Sequence, residues 1–325
     1  MVSGEIVRHQ RKPGVTGKGL IICHAEVHYN LTVMFRIAHI SDLHIPPLPR
    51  VPLKQLAGKR LVGQFSWFHK WKSEYRKIVL DALLAHLQEI EPDHICITGD
   101  ITFTTLPAEV DQAAEWFSRL GDAQRISLIP GNHDSYITGA LDYAQEKWAR
   151  WMQDDEGWAG FPYLHRRGPV DIIGLSSAVA TPPAISWGRI GQQQLEKTGV
   201  LLDGLRAASR PSLLLVHHAP QDGAAKPRRA LSDRRELQKL LAHSPVDLVL
   251  HGHLHYPVQA ELEGPTRPIP VLGAASASAI GGHKSVAHYH LIEIETKIGQ
   301  AQLTVQHYHY DKVAGSFSLT SKQTL

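Results

Sequence analysis

Five short apolar runs in this sequence end in side chains able to bind a metal ion. The run 35–40 leads into Ser41-Asp42-Leu43-His44, and the run 94–98 into Gly99-Asp100. The run 125–129 leads into Pro130-Gly131-Asn132-His133-Asp134, 212–216 into His217-His218, and 247–250 into His251-Gly252-His253-Leu254-His255. Asp and Asn offer hard oxygen ligands, and imidazole suits zinc, iron or manganese. In a short extended segment, Asp-x-His and His-x-His spacing lets two side chains turn toward one site. The glycines at 99, 131 and 252 allow the backbone to turn sharply and come close to bound ions. Each piece alone has a plainer reading: Gly-Asp is often a turn, Asn-His-Asp a capped turn, and His217-His218 a structural or surface pair. All five in series, on alternating strands, point to one shared metal site. His251 reads as a strand-end residue and not as a ligand.

The elements that must position these residues follow from hydrophobic period. Strand-like runs at 35–40, 94–98, 125–129, 170–175, 212–216 and 247–251 are short and rich in Ile, Leu and Val, as suits strands buried on both faces. Helical patterns lie between them at 73–90, 107–120, 137–153, 190–205 and 233–243. Tyr75 opens the apolar stripe of the first, Pro107 stands in the first turn of the second, and Ser232 or Asp233 is a candidate cap for the last. Beyond residue 255 the pattern is strand-like, at 257–262, 269–272, 287–294 and 301–310. The fold class is α/β, and the motifs fall at the carboxyl ends of strands, where open α/β sheets build their sites.

The series Asp42-x-His44, Gly99-Asp100, Gly131-Asn132-His133-Asp134, His217 and Gly252-His253-x-His255 resembles the calcineurin-like metallophosphoesterase family. The stretch Gly188-Arg189-Ile190-Gly191, followed by Gln194-Leu195, is similar to a segment of the branch containing class III cyclic-nucleotide phosphodiesterases. The resemblance implies a four-layer αββα sandwich, two mixed β-sheets flanked by helices. It implies that Asp42, His44 and His255 hold one metal, Asn132, His217 and His253 a second, and Asp100 both. His133 would face the scissile phosphate, with Asp134 fixing its ring. The family frequently has His-His-Pro where this chain has His217-His218-Ala219-Pro220, so the choice between His217 and His218 stays open. The function implied is hydrolysis of phosphate esters, most of all phosphodiesters, with cyclic nucleotides the favoured subclass. Two ions of Mn, Fe or Zn about 3.5–4 Å apart would share a bridging hydroxide as nucleophile, and His133 would protonate the leaving group. The other readings are a hydrolase of nucleotide- or lipid-linked phosphoesters and pyrophosphates, and a catalytically silent scaffold of the same fold.

The segment 46–77 is basic and aromatic: Arg50, Arg60 and six further Lys or Arg residues stand against the single acid Glu74, interleaved with Phe65, Trp67, Phe68, Trp71 and Tyr75. It reads as a cap that places Arg50 and Arg60, with His218, near an anionic substrate, or makes peripheral contact with anionic lipid. A loop leading into an amphipathic helix, with some aromatics in the core, is the alternative. A second basic stretch, from Lys226 to Arg235, leaves the His217-His218 motif and either draws in phosphate or forms a solvated helix entrance. A formal net charge of +3 is too small to imply specific nucleic-acid binding. Two cysteines, Cys23 and Cys96, do not make a disulfide framework and suggest a reducing, cytoplasmic compartment. Residues 1–33 read as a loosely ordered extension with Met34 as the natural start, and 34–325 as a single domain.

Overall fold

The computed structural model describes residues 33–208, 210–297 and 300–325. The extension expected over 1–33 lies outside the described residues except for Val33, the first residue of strand β1 (Val33–Ile40).

Two mixed sheets of six strands form the centre. The first has β12 (Ser316–Thr324), β11 (Gln300–Asp311), β10 (His288–Lys297), β1, β2 (His94–Ile97) and β3 (Ile126–Leu128), in that spatial order. The second runs β4 (Tyr163–Arg167), β5 (Val170–Gly174), β6 (Ser212–Leu215), β7 (Leu248–His251), β9 (Ile269–Gly273) and β8 (Val258–Leu262). β1, β2 and β3 are mutually parallel, as are β5, β6, β7 and β9. Each sheet therefore presents several strand C-termini at one rim.

The continuous apolar runs arise because both faces of the central strands are covered. Leu213 and Leu215 of β6 join Ile37, Ile292 and Leu250 in the core between the sheets. Leu214 and Val216, pointing the other way, pack with Leu202 and Leu205 of helix α5 (Gln192–Leu205) and Leu237 of α6 (Arg234–Leu241). Over the first sheet lie α2 (Lys77–Ile90), α3 (Pro107–Leu120) and α4 (Ala140–Met152). Phe117 of α3 meets Trp148 and Trp151 of α4 edge to face, at centroid distances of 5.9 and 5.0 Å. The order helices, sheet, sheet, helices is the expected αββα sandwich.

The differences from expectation have local causes. β4 and β12, which the apolar pattern did not mark, are two of the four edge strands, and β12, which reads SFSLTSKQT, is polar and largely exposed. The segment before α2 holds helix α1 (Lys59–Ser66) and one π-helical turn (Trp67–Trp71). The helix expected from residue 73 starts only at Lys77. Tyr75 stands before it, paired in extended form with Ala279, and its ring is buried against Trp67 and Phe103.

Candidate metal centre

The five motif loops meet where the two sheets come together. Asp42 and His44 follow β1, Asp100 follows β2, and Asn132 follows β3. His217 follows β6, and His253 and His255 follow β7. Close backbone packing sets the loops: Asp42 donates to the Gly99 carbonyl (2.9 Å) and His44 to that of Asp100 (3.0 Å). A Cβ on Gly252 would overlap the Ser41 and Asp42 side chains, so only glycine lets the β7 loop come this near the β1 loop. Asp42, His44, Asp100, His253 and His255 all have positive φ, between 38° and 69°. Non-glycine residues pay about 1–2 kcal/mol for that conformation. Its concentration here marks a geometry held for function and supported by the surrounding fold.

The side chains form two adjoining groups. In one, Asp42 Oδ1 lies 3.1 Å from His255 Nε2, and His255 Nε2 lies 3.5 Å from His44 Nε2. In the other, His217 Nε2 is 3.3 Å from Asn132 Oδ1, and the His217 and His253 ring centroids are 5.2 Å apart. Asp100 stands between them, with Oδ2 3.3 Å from His217 Nε2 and 4.0 Å from His44 Nε2. Its Oδ1 accepts from the His133 backbone N–H at 2.7 Å.

The outer atoms of these side chains are anchored, which aims the inner ones. His44 Nδ1 donates to Thr102 O (3.0 Å), His217 Nδ1 to Thr98 O (2.6 Å), and His253 Nε2 to Arg229 O (2.9 Å), leaving Nε2, Nε2 and Nδ1 free in turn. His255 Nδ1 meets the Tyr75 hydroxyl at 3.2 Å. Asp42 Oδ2 accepts from Ser41 Oγ and the His253 N–H, while its buried Oδ1 has no hydrogen-bond partner.

That oxygen, facing His255 Nε2 at 3.1 Å without a well-formed hydrogen bond, is where a cation would sit, and the electrostatics agree. Burial alone would lift Asp42, but His255 and His217 hold it down to about 2; the same opposition holds Asp100 well below the carboxylate range. Burial likewise opposes charge on His217, yet Asp100 and Asp42 push it up to about 9. The two carboxylates demand positive charge, and in the protein alone a proton on His217 supplies it. The donor set, histidines with Asp and Asn oxygens, fits Mn, Fe or Zn.

His217 and His218 now separate. His218 lies beside His253, but its Nδ1 is hydrogen-bonded to Ser177 Oγ (2.8 Å) and its Nε2 to Ser186 O (3.2 Å). Both ring nitrogens are therefore engaged and His218 does not line the cleft, although one of its nitrogens lies within 4.8 Å of those of His217 and His253. His251 keeps its Nδ1 on the Gly252 carbonyl, as befits a strand-end residue.

Three expected roles change. The His133 ring is not held by Asp134: its Nδ1 donates to Phe103 O at 2.7 Å. Asp134 instead accepts the backbone N–H groups of Gly131, Ile101 and Thr102, tying the β2 and β3 loops together. Arg60 is likewise no cleft residue, because its guanidinium donates to the Thr104 and Thr105 carbonyls. Arg50 is exposed and does not line the cleft.

The cleft over the metal centre has a volume of about 190 Å³. Its positive charge comes from Arg229 and Lys284, and its aromatic wall from Trp71, Tyr75 and Phe103. Arg229 belongs to the second basic stretch. Lys284 arrives from a loop with no motif around it, so nothing in the sequence pattern pointed to it. Burial lowers its pKa, with Arg229 adding to the effect.

A family model described as calcineurin-like phosphoesterase matches residues 35–257, most of the chain. The chain belongs to that family. It is 30% identical over 236 residues to a Synechococcus protein bearing the name "Probable cyclic nucleotide phosphodiesterase", covering 70% of this chain and 75% of that one. A Rhodococcus erythropolis protein of the same name is 29% identical over 251 residues, covering 71% and 72%. The fold is similar to that of a dimetal phosphatase from Danio rerio, with a TM-score of 0.56 at 12% identity, covering 89% of this chain and 98% of that one.

Proposed function

We propose that this protein is a phosphodiesterase working with two divalent ions, and that cyclic nucleotides are its substrate class. Asp42, His44 and His255 hold one ion, and Asn132, His217 and His253 the other. Asp100 serves both. The observation that carries this reading is the position of Asp100 Oδ2 between the two groups, within 4.0 Å of a histidine from each. Bound there, the ions would supply Lewis acidity, activating water and neutralising charge on the phosphoryl oxygens.

The chain's own residues do the rest. With Nδ1–H committed to Phe103, His133 Nε2 is the nitrogen that carries a proton to the leaving oxygen. Arg229 and Lys284 draw the phosphodiester anion into the cleft, and Trp71 offers its ring to a nucleobase. The names of the two relatives support the cyclic-nucleotide choice. We place residues 34–325 in one metallophosphoesterase domain.

A lipid-linked phosphoester is the second reading, and the cap favours it. Leu61, Val62, Phe65 and Phe68 are each more than half exposed on the helical segment 59–71, beside exposed Lys70 and Lys72. Apolar side chains set among cations suit the surface of an anionic membrane. The compartment we propose is the cytoplasm, supported by the buried, unpaired thiol of Cys96. No helix among the described residues is long and apolar enough to cross a membrane.

The test is turnover, with Mn²⁺ present, of cyclic AMP, an aryl phosphodiester, an aryl phosphomonoester, a nucleotide pyrophosphate and vesicles of anionic phospholipid. Cyclic AMP and the aryl diester are expected to be hydrolysed well above the rest. Preference for the vesicles, lost in a Phe65→Ser, Phe68→Ser variant, would instead select the lipid reading.

A further inference from the structure

Behind the phosphoesterase site the inter-sheet layer holds a second concentration of imidazole. His288 and His290 lie two residues apart on β10, so both face the same way, and antiparallel pairing sets His290 opposite His307 and His288 opposite His309 on β11. On its other side His290 pairs with His39 of β1. The opposite face of the same strands carries Tyr289 stacked on Tyr308, so the histidines form one chemically uniform patch. His288 and His290 are fully buried, and each offers a donor atom within 4.8 Å of the others in a group completed by His307.

Hydrogen bonding leaves these rings poorly satisfied by protein alone. His290 Nδ1 is 3.1 Å from His39 Nδ1, and His39 Nε2 is 2.9 Å from Thr98 Oγ1. This chain orients the His290 ring, yet its buried Nε2 has no partner, and neither does His288 Nδ1. Buried imidazole nitrogens ordinarily find a partner, and an ion in this patch would supply one for His290 Nε2. His288 Nε2 and His307 Nδ1 stand 3.5 Å apart, close to the separation of two nitrogens bound to one tetrahedral zinc ion. The other His307 nitrogen, Nε2, has the Gln323 amide 3.3 Å away. Turned so that its oxygen accepts Nε2–H, that amide frees Nδ1 as a ligand.

We propose that His288, His290 and His307 form a further metal site, separate from the phosphoesterase centre, that takes a first-row divalent ion of the zinc, nickel and copper type. Three imidazoles with no carboxylate select these ions over Mn²⁺ or Mg²⁺, which prefer oxygen ligands. A water molecule fills the fourth position, as is usual for three-histidine zinc sites. The His39–Thr98 chain supplies the outer hydrogen bonds that a metal-bound histidine requires. Thr98 also accepts from His217, so the two sites share a supporting residue.

The test uses the full chain. Zn²⁺ bound per chain is measured by mass spectrometry after equilibration and desalting, for the wild type and for His307→Gln, a change at a half-buried position. The variant is expected to hold one ion fewer than the wild type, whatever number the phosphoesterase centre contributes. Equal zinc content in the two proteins would overturn the proposal. If the variant does not fold, wild-type crystals soaked in Zn²⁺ decide the matter by zinc-edge anomalous scattering. A peak between the three rings supports the site; zinc at the phosphoesterase centre and none here contradicts it.

Discussion

Single residues in this site act through the atoms their neighbours leave free. His133 shows this best, since the Phe103 carbonyl takes Nδ1–H and dedicates Nε2 to the substrate. Replacing it with Ala removes the proton donor, and a ring packed edge-on against His44, but no proposed ligand. Turnover of substrates with poor leaving groups should fall by ~10²–10⁴-fold, with metal content unchanged and a much smaller loss on an aryl ester whose leaving group needs no proton. Rates measured on the two ester types, with metal analysis, check this. His217 makes the second case. Asp100 and Asp42 raise it to about 9, against the effect of burial, so at neutral pH a binding cation must displace its proton. The apparent affinity for Mn²⁺ should therefore weaken by about tenfold per pH unit on going from pH 8 to 6. Calorimetric titrations at the two pH values, showing proton uptake by the buffer, test it. The proposed ligands were legible in the sequence because strand ends concentrate them in short motifs. Lys284, Ser186 and Phe103 were not, because they reach the cleft from segments with no chemical signature of their own.

At the scale of elements, the cap and the 281–284 loop form one side of the cleft. Glu74, the cap's single acid, is buried and accepts the backbone N–H groups of Gly282, His283 and Lys284 at 3.1, 3.0 and 3.3 Å. It holds in place the loop that carries Lys284 over the metal centre. Glu74→Gln weakens charge-assisted bonds without touching the proposed ligands. KM for a cyclic nucleotide should rise about tenfold, equivalent to ~1.4 kcal/mol, while metal content and kcat stay near wild type. Steady-state kinetics with metal analysis decide it. Tyr75 shows where pattern reading failed here. Its spacing fits the helical stripe of α2, but its ring packs with Trp67 and Phe103 and its hydroxyl reaches His255, which draws the residue out of the helix. Strands buried on both faces were legible as continuous apolar runs. β4 and β12 were not: β12 is polar and largely exposed, and β4 has only three buried residues before Arg166 and Arg167.

Across the whole molecule, the metal centre is also a joint. Asp42, His44, Asp100 and Asn132 come from the first sheet, and His217, His253 and His255 from the second. Ions bound there fasten the two sheets, and in their absence the paired carboxylates and histidines rest on proton sharing alone. Ligand binding to the folded state alone adds about 2.7 kcal/mol at a hundredfold excess over Kd. Removing metal with EDTA should thus lower Tm by several degrees, and Mn²⁺ should restore it; calorimetric melting curves of both forms check this. The central claim is that two ions in this centre drive phosphodiester hydrolysis. Its most direct test is the rate of cyclic AMP hydrolysis by metal-stripped protein titrated with Mn²⁺. The account predicts no activity at the start and a rise that saturates at two ions per chain. Full activity in the stripped protein, or none at any loading, would contradict it.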